Sequence, residues 1–177
     1  QCLATHEFGG QEIAPGQELR PGYEKLARLV GDWTYEGHSP SQWKDTPYGP
    51  AGKFSGQFSS RFVLDGSFVQ ERWQEKYEGG ETLSGINIFR YDPEQQNVVV
   101  SAFGSDGSTY SSVYTIEGDT MRTRFRQIPP EGDPFRVKAV WKYGPGLDTF
   151  KATWQISLDE GKTWKPWITY DGTKCKD

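Results

Sequence analysis

A chain of 177 residues with a net charge of −4 and a pI near 5.3 fits one domain, and it lacks the clustered positive charge needed to hold nucleic acid or anionic lipid. Only 34% of its residues are hydrophobic, yet 15% are aromatic, so the apolar mass sits in a few large rings that suit pleated strands. No apolar run is long enough to span a bilayer, so no transmembrane segment is expected, and the N-terminus lacks the charged and apolar regions of a signal peptide.

Residues 1–21 are rich in Gly, Pro and Gln without periodicity and read as an extended arm, ahead of a single domain over 22–177. From Pro21 to Val30, Tyr23, Leu26, Leu29 and Val30 recur at helical spacing, which predicts a short amphipathic helix able to plug a barrel end. Gly31-Asp32-Trp33 ends it and opens the first strand. The stretch from Gly37 to Pro50, full of Ser, Pro and Gly, is the longest irregular connection and a candidate mouth loop. Beyond it, turn signals recur about every eight to twelve residues, from Asp65-Gly66 and Gly79-Gly80 to Gly144-Pro145 and Glu160-Gly161, the rhythm of an up-and-down meander. No segment between them has the helical period that a parallel crossover requires.

The first hairpin can be registered by eye. With Asp65-Gly66 as a two-residue turn, Phe62 faces Val69, Ser60 faces Glu71, Phe58 faces Trp73 and Phe54 faces Tyr77. One face then collects the rings and the other collects Gln57, Ser59, Arg61, Gln70, Arg72, Gln74 and Lys76. The same register puts two carboxylates, Glu71 and Glu75, on the apolar face. Later strands alternate likewise: Arg122, Arg124 and Arg126 with Met121, Thr123 and Phe125, and Phe150, Ala152, Trp154 and Ile156 with Lys151, Thr153 and Gln155. The pattern predicts an all-β fold, and a sandwich would share it.

Three segments, Leu29-Val30-Gly31-Asp32-Trp33, Leu64 to Glu71 and Ser84 to Asp92, resemble a calycin-like family of bacterial secreted proteins catalogued as a domain of unknown function. Gly31-Asp32-Trp33 is also similar to the Gly-x-Trp opening of lipocalins and fatty-acid-binding proteins, whose Trp packs at the closed end of the barrel. The resemblance implies an antiparallel calycin-like barrel of about ten strands with a hydrophobic-ligand cavity. Ser157 to Trp164 resembles the Asp-box hairpin of sialidase-type propellers; occurring once, it implies a structural turn in which Asp159 bonds its own backbone, Gly161 takes positive φ and Trp164 packs beneath.

The two cysteines, Cys2 and Cys175, stand at the ends of the chain, where barrel termini can meet. A disulfide would imply a secreted or periplasmic address; unrelated thiols are the alternative, and Gln1 argues against a lipid on Cys2. With His6 and His38 as the only histidines, a tetrahedral N/S metal site has too few ligands, no cofactor is indicated, and His38 serves catalysis only if its loop folds over the mouth.

Glu71, desolvated among rings, is the candidate for proton transfer, and a two-residue Gly79-Gly80 turn would offer Arg90 as its cation. Trp33, Phe58, Phe62, Trp73, Tyr110, Tyr114, Trp141 and Trp154 join them as candidate cavity residues. The expected function is binding or transport of a small hydrophobic or aromatic molecule. The alternatives are an isomerase or cyclase using Glu71, and a carbohydrate-binding or interaction module stacking sugars on exposed Trp43, Trp164 or Trp167.

Overall fold

The computed structural model describes residues 22–44, 46 and 48–176. Ten strands follow in chain order: β1 (Gly31–Ser39), β2 (Gly52–Val63), β3 (Phe68–Tyr77), β4 (Thr82–Asp92), β5 (Asn97–Gly104), β6 (Thr109–Glu117), β7 (Thr120–Gln127), β8 (Phe135–Tyr143), β9 (Thr149–Ser157) and β10 (Lys165–Lys174). Each pairs antiparallel with its neighbours in sequence, and β1 pairs with β10, so the sheet closes into a barrel with no free edge. Alternation along the strands sends most rings and small aliphatics inward and most charges outward, Glu71 and Glu75 of β3 being inward exceptions.

The β2–β3 hairpin has the expected register: Phe62 opposite Val69, Ser60 opposite Glu71, Phe58 opposite Trp73 and Phe54 opposite Tyr77. Asp65 and Gly66 both take positive φ, and the Ser67 amide donates to the Leu64 carbonyl at 3.1 Å, as a tight two-residue turn requires. The β3–β4 turn departs from expectation. The Tyr77 amide bonds the Glu81 carbonyl at 2.9 Å, so three residues rather than two cross between the strands. That one extra residue places Asn87, not Ile88, opposite Glu71. Arg90 therefore points outward, exposed and 3.6 Å from Asp92, and is not the partner of Glu71.

The helix α1 is a single turn, Glu24–Ala27. Beyond it the Leu29 amide reaches back to Leu26 and the Val30 amide to Ala27, a tighter winding that keeps the apolar spacing without prolonging the α-helix. Leu26 is fully buried, and α1 is tied across one barrel end by Lys25 Nζ donating to the Gln96 carbonyl and Arg28 Nη1 to the Gly118 carbonyl, both at 2.9 Å. Beneath it Trp33 stacks on Phe58 with centroids 5.6 Å apart and tilts against Phe150 at 5.3 Å, making a dry floor. Cys175 follows β10 at this same end; its expected partner Cys2 and the 1–21 arm lie outside the described residues.

Two inward glycines let large rings lie flat on the wall. A Cβ on Gly56 would stand 2.2 Å from the Tyr35 ring, and one on Gly85 would stand 2.4 Å from the Trp73 ring. Each glycine is the direct cross-strand partner of the ring that covers it.

Candidate functional site

Above the floor the barrel is not filled. A cavity of about 210 Å³ occupies the interior and reaches the end opposite α1, where Tyr48 to Pro50, Asp106, Ser108 and Pro129 form its mouth. The long β1–β2 connection is held over one side of this mouth by two indoles: Trp43 Nε1 donates to the Pro166 carbonyl and Trp167 Nε1 to the Tyr48 carbonyl, both at 2.8 Å. Trp167 occupies an irregularity in the β10–β9 pairing, where the register shifts between Pro166 and Ile168, and this turns its ring toward the mouth. Trp43 is buried and so offers no exposed stacking face; Lys138 covers Trp164, with Nζ 4.5 Å from the ring centroid.

The β3 strand supplies the polar wall, presenting Glu71, Trp73, Glu75 and Tyr77 at successive inward positions. Glu71 Oε1 accepts from Asn87 Nδ2 at 2.6 Å and Oε2 from the Ser60 hydroxyl at 3.2 Å. Glu75 is held likewise, Oε1 accepting from the Tyr35 hydroxyl at 3.0 Å and Oε2 from the Tyr77 hydroxyl at 3.2 Å. Burial pushes the Glu71 carboxyl up to about 7, with the Asn87 and Ser60 hydrogen bonds pulling it partly back. Glu75 is raised for the same reason, against the pull of its two tyrosines.

The facing wall is phenolic and indolic. The Tyr170 hydroxyl accepts from Trp141 Nε1 at 3.1 Å and Trp154 Nε1 at 3.2 Å, which uses both of its lone pairs and leaves its own hydrogen to donate. The Tyr110 and Tyr114 hydroxyls lie 3.3 Å apart, one donating to the other. Burial, and then Glu75 beside Tyr35 and Tyr170 and the Tyr110 phenol beside Tyr114, hold these three tyrosines well above the usual phenol range, so they stay protonated. Tyr143 lines the cavity and is itself buried.

Of the residues singled out from sequence, Phe58, Glu71, Trp73, Tyr110, Tyr114, Trp141 and Trp154 line this cavity, whereas Trp33 and Phe62 are packed outside its lining and Arg90 is on the outer surface. His38 is an exposed residue of β1, not a group over the mouth. Sequence reasoning set Glu75 inside without giving it a role, and it missed Tyr35, Asn87, Tyr143 and Tyr170. The inward alternation that marks Glu71 marks Glu75 equally, while Asn87 needed the length of the β3–β4 turn. At the mouth end, the Ser157–Trp164 turn is closed by Asp159, whose Oδ1 accepts from the Thr163 amide at 2.8 Å and whose Oδ2 accepts from the Thr163 hydroxyl at 2.7 Å. Gly161 takes φ +92°.

Similar barrels are known. The crystal structure of Rv2717c from M. tuberculosis superposes with a TM-score of 0.65 at 14% identity, covering 90% of this chain and all 100% of that one. The S-type phycobiliprotein lyase CPES from Guillardia theta matches with a TM-score of 0.57 at 12% identity, over 87% of this chain and 92% of that one. At such identities these likenesses establish the shared fold. In sequence, the chain is 31% identical over 115 residues to an uncharacterized 18.5 kDa protein from the repEA-segC intergenic region of Enterobacteria phage T4. That match spans 64% of this chain and 63% of the phage protein, less than two thirds of its length. Residues 19–171, from just ahead of α1 to near the end of β10, match the family model described as a protein of unknown function, DUF1579, and the chain belongs to that family.

Proposed function

We propose that the barrel binds one small hydrophobic or aromatic molecule in its interior cavity. The observation that carries this reading is the cavity itself, about 210 Å³ walled by Phe58, Trp73, Phe89, Trp141 and Trp154, with a few convergent polar groups and an open mouth. An apolar cavity of about 150 Å³ accepts benzene, so this one suits a molecule of one or two rings. The kinship in fold with the phycobiliprotein lyase supports a barrel of this shape and does not name the ligand.

The test is native mass spectrometry of protein purified from its own host, followed by titration of the emptied protein with naphthalene read by Trp fluorescence. Saturation at one molecule per chain is expected. Ala102→Phe, which fills the cavity from β5, should abolish it while the barrel stays folded. Naphthalene that quenches without saturating, or equally in Ala102→Phe, would contradict the reading.

A second reading has a specific observation behind it. A carboxyl poised near 7 and facing a cavity suits proton transfer to a bound molecule, as in an isomerase or cyclase. Glu71→Gln would then lower turnover by about two to four orders of magnitude while binding survives.

A further inference from the structure

The interior has an unusual balance of charge. Its lining includes the acidic residues Glu71, Glu75 and Asp106, and no Lys, Arg or His among the described residues. A barrel built for fatty acids or other carboxylates would need a cation inside; here an anionic ligand would meet two carboxylates and nothing to offset its own charge.

The hydrogen bonds leave both carboxyls able to carry charge. Four neutral donors, from Asn87, Ser60, Tyr35 and Tyr77, each reach one of the four carboxylate oxygens. An ionised pair accepts all four with no cation beside it, and when a carboxyl takes up a proton the Ser60, Tyr35 or Tyr77 hydroxyl can turn to accept it. The site is thus complete in hydrogen bonds and incomplete in charge. Around these groups lie the indoles of Trp73, Trp141 and Trp154, ring systems that attract cations when water is excluded.

Resting on the reading that the cavity binds a small molecule, we propose that its ligand is an organic cation, an amine or quaternary ammonium on an aromatic or aliphatic body, whose charge sits between Glu71 and Glu75. The groups facing Glu71 support this. Glu75 lies four residues along β3, two inward positions away, and Tyr35, Tyr110, Tyr114, Tyr143 and Tyr170 from the surrounding strands are all phenols held protonated by burial. Arg28 stands 6.0 Å from the Tyr143 ring centroid with Nη1 bound to the Gly118 carbonyl, and it lies outside the cavity lining.

The test uses benzyltrimethylammonium, whose charge does not titrate, beside neopentylbenzene, which replaces its nitrogen with carbon at nearly the same shape. Calorimetry or Trp fluorescence at pH 6 and pH 8 reads both. Roughly tenfold or greater preference for the cation at pH 8 is expected. That preference should shrink at pH 6, where Glu71 takes up a proton, and the pH dependence should weaken in Glu71→Gln and in Glu75→Gln. Equal affinity for the two probes, or a cation affinity that ignores both pH and these substitutions, would overturn the inference and leave the cavity reading standing. If neither probe saturates, while both variants keep the wild-type fold by circular dichroism, both readings fail together.

Discussion

The two ends of the barrel interior are built from one strand pattern to opposite purposes. At the closed end, Trp33, Phe58 and Phe150 pack ring to ring beneath α1, whose Leu26 is fully buried, and the Trp33 indole nitrogen is buried without a partner among the described residues. In the cavity each carboxylate oxygen of Glu71 and Glu75 and each of the Trp141 and Trp154 indoles has its hydrogen bond, although the space between them is unfilled. Dense packing without polar satisfaction gives stability; polar satisfaction without dense packing gives a place for a ligand.

The sharpest way to break this comparison is at the floor. Trp33→Ala removes a ring packed against Phe58, Phe150 and Tyr143 and should cost about 3–5 kcal/mol in urea denaturation. A loss below about 1 kcal/mol would mean that the closed end does not hold the barrel together.

The cavity should show itself next, through pH. Glu71 rises from an ordinary 4.5 to about 7 on folding, so the folded state holds the proton more tightly between those values. Stability is then highest below about pH 4.5 as far as this group is concerned, and falls as pH rises toward 7 and beyond, by up to about 3 kcal/mol. Glu75, raised in the same direction, adds to the fall. Glu71→Gln should flatten the profile and leave the protein more stable than wild type at pH 8. A wild-type profile that climbs over this range would contradict the burial of the carboxyl.

Tyr170→Phe removes the acceptor of two indoles and should cost about 1–3 kcal/mol, together with a shift in Trp emission. The smallest effect is expected at the mouth-end turn: Asp159→Ala should lower Tm slightly, through loss of the Thr163 bonds, with ligand affinity unchanged. Impaired binding at unchanged Tm would assign that turn to the site.

How far the sequence discloses all this depended on local turns. The β2–β3 register was legible because Asp65-Gly66 admits positive φ at both turn positions and the alternation on either side is clean. The β3–β4 register was not, because Gly79-Gly80 suits turns of two or three residues equally, and one residue exchanges Asn87 for Arg90 on the inner face. Closure had no local signature, since an open sandwich carries the same alternation. The Tyr35 partner of Glu75 was hidden because it lies 40 positions away and reaches across Gly56 of β2, a bare position that only the β1–β2 register reveals.

The most direct test of the buried carboxylate pair is a carbon-13 NMR titration of the side-chain carboxyls, with Glu71 assigned by the disappearance of its signal in Glu71→Gln. The expected result is a midpoint near 7, moving down when benzyltrimethylammonium is added. A midpoint near the ordinary 4.5, unmoved by the cation, would place Glu71 in water and contradict the site.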